Sequence, residues 1–488
     1  MTIEEILALP DVGQKISLLK KGRKTEQPDK IELWNDWNPE QHEILTNKEK
    51  YPDRKVLEKE SGSRFDEKSG KTYEIEAKYK TEEVNRISIP LEQDIVNIQT
   101  AFTVGIEPTV DCTPLDESEE KLLSAIRRVF KSNKIKFRNK KIVRSWLSEQ
   151  EVAEYWYAIE DDSFWAKLWR SIKMSFGGKV KPNKKLKSTI WSPFRGDTLY
   201  PFFNDEGDLV AFSREYKKNV NDSEVTLFMT ITDSWVYMWN ESSLTEENTF
   251  KHGFDKIPVI YTYRPDAYCA KIKTFRVRLE KLLSNYADCI DYHFFPLLKL
   301  IGDVVGFAGK TKDRMVKLEN GADAQYLTWS QVPDTVKFEA ENLTNMAYSM
   351  TNTPRISFEE MKGIGNVSGI ALKLMFMDAH MAVSNHAEDI EEFLQRRVNF
   401  IVSALSSINP TEFRIAANTI EIETKVVPFM IDDVKDKVTT AVAAVSGGVW
   451  SRREGIIFAG NADRVEEELK EIEEDMENEE SKKQTNQV

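Results

Sequence analysis

From Arg86 the apolar residues first alternate, at Ile87, Ile89 and Leu91, and then recur at helical spacing, at Ile95, Ile98 and Phe102, until Gly105 stops the run. Residues 117 to 160 repeat the helical pattern, with Leu122, Leu123, Ile126, Val129 and Phe130 on one face, and predict two or three amphipathic helices. The period then changes to two. Thr198 to Phe203, Leu209 to Tyr216, Val225 to Thr232 and Trp235 to Asn240 predict strands, and the turn-forming separators Asn204-Asp205-Glu206-Gly207 and Asn219 to Asp222 predict an antiparallel meander. After a short apolar piece, Ile257 to Tyr261, helical spacing returns from about Tyr268 to Tyr292 through Ile272, Phe275, Leu279, Leu282 and Leu283. A compact mixed segment, Phe294 to Pro333, separates this helix from another over Val336 to Met350. Residues 20 to 85 are polar and rich in Lys and Glu, and predict irregular structure or peripheral helices.

The longest uninterrupted pattern lies further on. No proline occurs between Pro354 and Pro410, and from Ser368 to Ser406 apolar residues recur at Ile370, Leu374, Met377, Met381, Leu394, Val398, Ile401 and Leu405. One helix of this length spans roughly 60 Å. Its first half is apolar almost all round, with Ala371, Leu372, Met375, Phe376 and Val383 on the other faces. Its second half has a charged side made of Glu388, Glu391, Glu392, Arg396 and Arg397, so neighbours should enclose the first half and cover one side of the second. Residues 419 to 428 read as a strand. Helices follow at about Asp433 to Val445, ended by Gly447-Gly448, and from Ser451, whose pairing with Glu454 forms a capping box. The tail beyond Val465 is Glu-rich and ends in a polar stretch expected to be flexible.

Composition narrows the function. Three cysteines, Cys112, Cys269 and Cys289, without CxxC spacing argue against a disulfide framework or a zinc site and suit a reducing compartment. Met1 to Pro10 lacks the pattern of a secretory signal, and no segment offers the ~20 apolar residues needed to span a bilayer, so a soluble intracellular product is expected. The net charge of −13 disfavours tight sequence-neutral DNA binding, although an acidic wall suits a task in which DNA slides past. The core of the basic stretch Lys167 to Lys187 lacks aromatic stacking partners, and the stretch reads better as a solvated loop than as a phosphate-binding patch.

Catalytic and cofactor motifs are missing. There is no GxSxG, HExxH or Walker-type loop, and His380 and His386 are six residues apart on different faces of the long helix, so no metal, cofactor or catalytic residue is expected. Gly363-Ile364-Gly365-Asn366-Val367-Ser368-Gly369 fails as a dinucleotide fingerprint, because Ser368 holds the third glycine position and no buried strand precedes it. The glycines instead give a mobile loop before the long helix, capped by Asn366 or Ser368. A helix-turn-helix reader around Arg452-Arg453 is opposed by the glutamates of the following helix.

Asn366-Val367-Ser368-Gly369-Ile370-Ala371-Leu372-Lys373 resembles the Asn-x-Ser-Gly-x-Ala-Leu-Lys segment that opens the long kinked helix in the portal family of long-tailed bacteriophages. Asn85-Arg86 through Gly105-Ile106-Glu107-Pro108, Ser192-Pro193 with the meander, His252-Gly253 through Ile257-Pro258, and Ser451 to Glu474 resemble further family segments, in the family's order. The resemblance implies a mainly helical α+β portal fold: a wing over 1–265 with a strand near 419–428, stem helices 268–292 and 336–350, a clip over 293–335, a tunnel loop over 351–367, the long kinked helix 368–406, a crown over 429–475 and a flexible tail, 476–488. It also implies a non-enzymatic ring, typically of twelve subunits, at a capsid vertex of the virion, assembled in the host cytoplasm. Its partners would be double-stranded DNA, the terminase large subunit, a head-completion or adaptor protein, and the major capsid and scaffolding proteins.

Two candidate sites follow from that implied layout. The tunnel loop would meet DNA through Arg355, Lys362, Gly363, Gly365, Asn366 and Ser368, and the clip would dock partners through Lys310, Lys312, Arg314 and Lys317. Two alternatives stay open: a nucleic-acid-processing enzyme using carboxylates and a metal, and an unrelated structural scaffold.

Overall fold

The computed structural model describes residues 1–66, 71–160, 184–220, 223–293, 297–301, 304–308, 315–318, 323–327, 332–355, 376–429, 434–460, 465 and 468–472. It divides into two compact units, Met1–Thr353 with Ala382–Val427, and Pro354–Met381 with Pro428–Val488.

The first unit is built around the meander. Its strands are Thr198–Phe203, Leu209–Val220, Ser223–Ile231, Trp235–Asn240 and Thr245–Lys251, each paired antiparallel to the next. Alternation decides what each face meets. Leu199, Phe212, Met229, Ile231 and Val236 point one way and pack with Ala153, Trp191, Val259 and Tyr261 of a three-stranded sheet made of Glu151–Glu160, Lys184–Trp191 and Val259–Tyr263. Tyr200, Ala211, Phe228 and Trp239 point the other way, onto Ile3 and Ile6 of helix α1 (Ile3–Leu7) and Ile16 and Leu19 of α2 (Val12–Lys21).

This unit also contains the helices α3 (Lys30–Trp37), α4 (Glu43–Thr46), α5 (Leu91–Val104), α6 (Glu117–Asn133), α7 (Ile135–Glu149), the pair α8 (Lys273–His293) and α9 (Val332–Met350), and α10 (Met377–Ile408), whose residues from Ala382 onward belong here, followed by two single turns, Pro410–Phe413 and Ala416–Thr419. Between α8 and α9 lie two antiparallel strand pairs, Leu297–Ile301 with Asp323–Leu327 and Val304–Ala308 with Met315–Leu318. The strand near 420 is shorter than its pattern suggests, Glu423–Lys425, and pairs with Thr109–Asp111.

The second unit contains α11 (Val434–Ser446) and α12 (Arg452–Ala459). Gly448, at φ +71°, turns the chain after α11, and Val449 donates its N–H to the Ala444 carbonyl at 3.0 Å. Ser451 caps α12 by accepting the Glu454 N–H at 3.2 Å. The two helices cross closely at Gly455, where a Cβ would fall 2.6 Å from Val445.

Several expectations need correction. Residues 151–160 are a strand, not a helix: the strand is central in its sheet and buried on both faces over most of its length, so its apolar residues show no period of two. Within 20–85, α3 and α4 are followed by strands Arg54–Lys59 and Lys78–Glu82, and by Gly62–Asp66 and Lys71–Ile75; the first pair is largely exposed, which hides alternation. The alternating residues Ile87 and Ile89 join no strand. Their N–H groups donate to side chains of α8, Ile87 to Ser284 Oγ at 2.9 Å and Ile89 to Glu280 Oε1 at 3.0 Å.

Candidate functional site

Thr351 to Thr353, the segment from which the expected tunnel loop departs, is held at the C-terminus of α9. Asn352 adopts φ +44°, which reverses the chain, and the Thr351 hydroxyl donates back to the Ala347 carbonyl at 2.9 Å. Gln99 of α5 collects the freed acceptors: its Nε2 lies 3.1 Å from the Thr351 carbonyl, 3.1 Å from the Asn352 carbonyl and 2.8 Å from Thr353 Oγ1. The Tyr268 hydroxyl donates to the same Thr351 carbonyl. Gln99 and Thr351 are fully buried, so these carbonyls have been withdrawn from water and depend on the protein donors.

The start of α8 is fixed by charge. Arg276 is buried and meets three carboxylates: Glu92 of α5, Glu280 one turn along α8 at 3.3 Å, and Asp36 of α3 at 2.8 Å. His42 contacts the other Glu280 oxygen, and Lys273 bridges Glu32 and Asp36 at 2.7 Å each. Burial weakens the Arg276 charge, but Glu92, Glu280 and Asp36 outweigh it and hold the guanidinium pKa above its usual value. Burial pushes Glu92 up to about 6 against the pull of Arg276. The ends of both helices of the α8–α9 pair are therefore tied to α5.

A third polar junction holds α10. Arg397 is buried, with Nε 2.6 Å from Glu154 and Nη1 2.7 Å from Asn139 of α7. This corrects its assignment to the charged side of the long helix, since it stands among buried Phe393, Leu394, Val398 and Ile401. Glu391, on that side, accepts the Val426 N–H at 2.7 Å, and Gln395 binds both the Ile422 carbonyl and the Thr424 N–H, so this face holds the strand Glu423–Lys425. His386 is buried edge-on against Trp146 and Tyr268, and burial with nearby Arg264 and Lys271 lowers its pKa to about 3. It stays neutral at working pH.

Of the expected channel residues, Arg355 is exposed just beyond this root, whereas Lys362, Gly363, Gly365, Asn366 and Ser368 lie outside the described residues. Of the expected docking cluster, Lys310, Lys312 and Arg314 lie outside them. Lys317 sits on the strand Met315–Leu318, with its side chain outside the description. Sequence reasoning missed Gln99 and Arg276. Their signal was a polar residue where helical spacing from Ile95 and from Ile272 predicts an apolar one. Among the described residues no group of His, Cys, Asp and Glu forms a metal-binding cluster, and no helix is long and apolar enough to cross a membrane.

A family model described as phage portal protein, SPP1 Gp6-like, matches residues 20–482. No curated protein matches the chain. Among solved structures, a chain from the virion of a native gene transfer agent particle aligns with 11% identity and a TM-score of 0.34, covering 76% of this chain and 88% of that one. A chain from the neck of an empty gene transfer agent particle, computed with C6 symmetry, aligns with 12% identity and a TM-score of 0.37, covering 76% and 90%.

Proposed function

The chain belongs to the family of SPP1 Gp6-like phage portal proteins, and from that premise we propose that it forms a closed ring of identical subunits through which double-stranded DNA enters and leaves a capsid. One observation carries the ring. On the helix pair α8 and α9, Phe338, Met346 and Met350 are 66%, 53% and 51% exposed, and Ile290 and Tyr292 on α8 are also exposed. Apolar side chains grouped on one helix pair of a single chain call for a cover, and repeated copies around an axis supply one.

Within that ring, the loop from Thr351 to Val367 lines the narrowest passage. The Gln99 and Tyr268 bonds support this reading, because a loop that shifts as DNA passes needs a fixed origin. Arg355 and Lys362 touch phosphates briefly, while the acidic remainder prevents sticking. The segment between α8 and α9 docks the terminase and later the head-completion protein through Lys310, Lys312, Arg314 and Lys317. The motor is a separate ATPase, and the chain itself catalyses nothing.

Mass measurement and electron microscopy of the full chain should show a particle many times the chain's mass with an axial channel. Monomers or dimers alone, over a range of salt and concentration, would overturn the ring. Replacing Gly363 and Gly365 with valine should leave rings and empty procapsids but reduce the DNA packaged, and reversing the four charges between α8 and α9 should impair terminase binding alone. Unchanged packaging or binding removes the respective role.

A further inference from the structure

The acidic balance of the chain is not uniform. From Lys121 to Ser148 there are ten lysines and arginines and no Asp or Glu, so this stretch carries +10 and the remainder −23 within the net −13. It forms α6 and α7, joined by the single left-handed residue Lys134 at φ +53°. Helix α7 buries Ile135, Ile142, Val143, Trp146 and Leu147. Its opposite side presents Lys136, Phe137, Lys140, Lys141 and Arg144, a ridge at i, i+4 and i+8 with one parallel to it. The last turns of α6 add exposed Arg127, Arg128 and Lys131.

Most of these cations have no anionic partner among the described residues, Lys121 excepted, which pairs with Glu117 at 2.8 Å. Arg138 faces Glu154 at 3.8 Å and Arg144 donates to Asn97, but Arg127, Arg128, Lys131, Lys136, Lys140 and Lys141 have no carboxylate within ion-pair distance among the described residues. Six unneutralised charges on two adjoining helices, each about 25 Å long or slightly less, repel one another unless an anion lies on them.

We propose that this face of α6 and α7 holds the phosphate backbone of duplex DNA, as a standing contact distinct from the sliding contact of the tunnel loop. Two arguments select DNA over an acidic protein. Protein interfaces are depleted of lysine at their centres and depend on buried aromatic anchors, and this face offers a single exposed aromatic, Phe137. A phosphate polymer asks only for charge, and it releases counterions along its length. The acidity elsewhere is no obstacle, because at physiological salt charges beyond about 8 Å are largely screened. The choice of duplex DNA also rests on the portal reading; the cationic face does not.

The test measures binding of a fluorescent mixed-sequence DNA duplex to the assembled full chain across a salt series. The variant carries Arg128→Gln, Lys131→Gln, Lys136→Gln, Lys140→Gln and Lys141→Gln. A control variant loses five exposed lysines elsewhere, through glutamine at Lys55, Lys59, Lys217, Lys218 and Lys256. The first variant should bind about ten-fold more weakly at low salt, with a salt slope shallower by about 0.9 per phosphate contact removed, and the control should stay near wild type. Equal binding by all three proteins, or equal weakening of both variants, overturns the inference. So does a wild-type protein that holds polyglutamate but not the duplex, which would assign the face to an acidic protein. Particle mass on the same samples separates the two ideas: rings with unchanged binding sink this inference alone, and a monomer that binds the duplex through these residues sinks only the ring.

Discussion

The two ends of the α8–α9 pair are built from opposite materials. At the end formed by the start of α8 and the close of α9, Arg276, Glu280, Thr351 and Thr353 are polar and buried; Glu92 and Asp36 meet Arg276, His42 meets Glu280, and Gln99 and Tyr268 bond Thr351 and Thr353. Toward the other end, Tyr292, Ile290 and Phe338 are apolar and exposed, the reverse of what solvent asks of each residue type. Buried polar groups specify one geometry, because few arrangements satisfy them all. Exposed apolar groups specify a surface still to be covered. The pair is thus aimed by its own chain through the buried polar groups, while its exposed apolar residues, from Phe338 to Met350 on α9 and at Ile290 and Tyr292 on α8, are left open to other chains.

The largest effect should come from the charged end. Arg276→Ala leaves Glu92 and Glu280 facing each other in a buried site without their shared cation, and breaking such a pair costs about 3–5 kcal/mol. Urea unfolding followed by tryptophan fluorescence reads this directly. A cost near that of an ordinary surface substitution would show that the cluster does not fix α8.

A smaller, pH-dependent effect belongs to Glu92. The folded chain holds this proton up to about pH 6, against 4.5 for an unperturbed glutamate, so between those values the folded state binds more protons than the unfolded one. Stability contributed by Glu92 is therefore lost as pH rises through that window, by about 2 kcal/mol in total, and does not return above it. In Glu92→Gln the step disappears, and the stability difference between variant and wild type should change by that amount from pH 4 to pH 7. Parallel profiles would mean that Glu92 titrates normally and that Arg276 dominates its environment.

The same contrast explains what the sequence made legible. The meander was readable because its strands alternate between two covered faces and its turns use turn residues; Thr198–Phe203 and Trp235–Asn240 have the expected bounds. The edge strand Thr245–Lys251 is nearly all exposed and carried no alternation to find. At the polar junctions, Gln99 and Arg276 beside the α8–α9 pair and Arg397 on α10 are typed as surface residues by chemistry and as core residues by position. A periodicity argument that trusts chemistry puts them outside, and only their partners on other elements, distant in sequence, bring them in. Family resemblance supplied the order of segments, whereas these polar junctions came from tertiary contacts alone.

The smallest effect on the chain itself is expected at the exposed apolar residues of the pair, which on α9 run from Phe338 to Met350, and there the comparison can be broken most cleanly. Phe338→Ser, Met346→Ser and Met350→Ser replace side chains that are already more than half in water, so within one subunit each should shift unfolding by no more than about 0.5 kcal/mol. Ala347, the neighbour of Met346, gives the internal standard: it is fully buried, and Ala347→Leu should cost about 1–3 kcal/mol by overpacking. If the exposed residues are interface residues, the order reverses when assembly is measured. The serine triple variant should stay folded by tryptophan fluorescence yet lose the ring by mass, because each subunit contributes the lost apolar area again at every contact around the axis. A triple variant that still forms rings would leave these side chains unexplained and move the search for the subunit contact to another face.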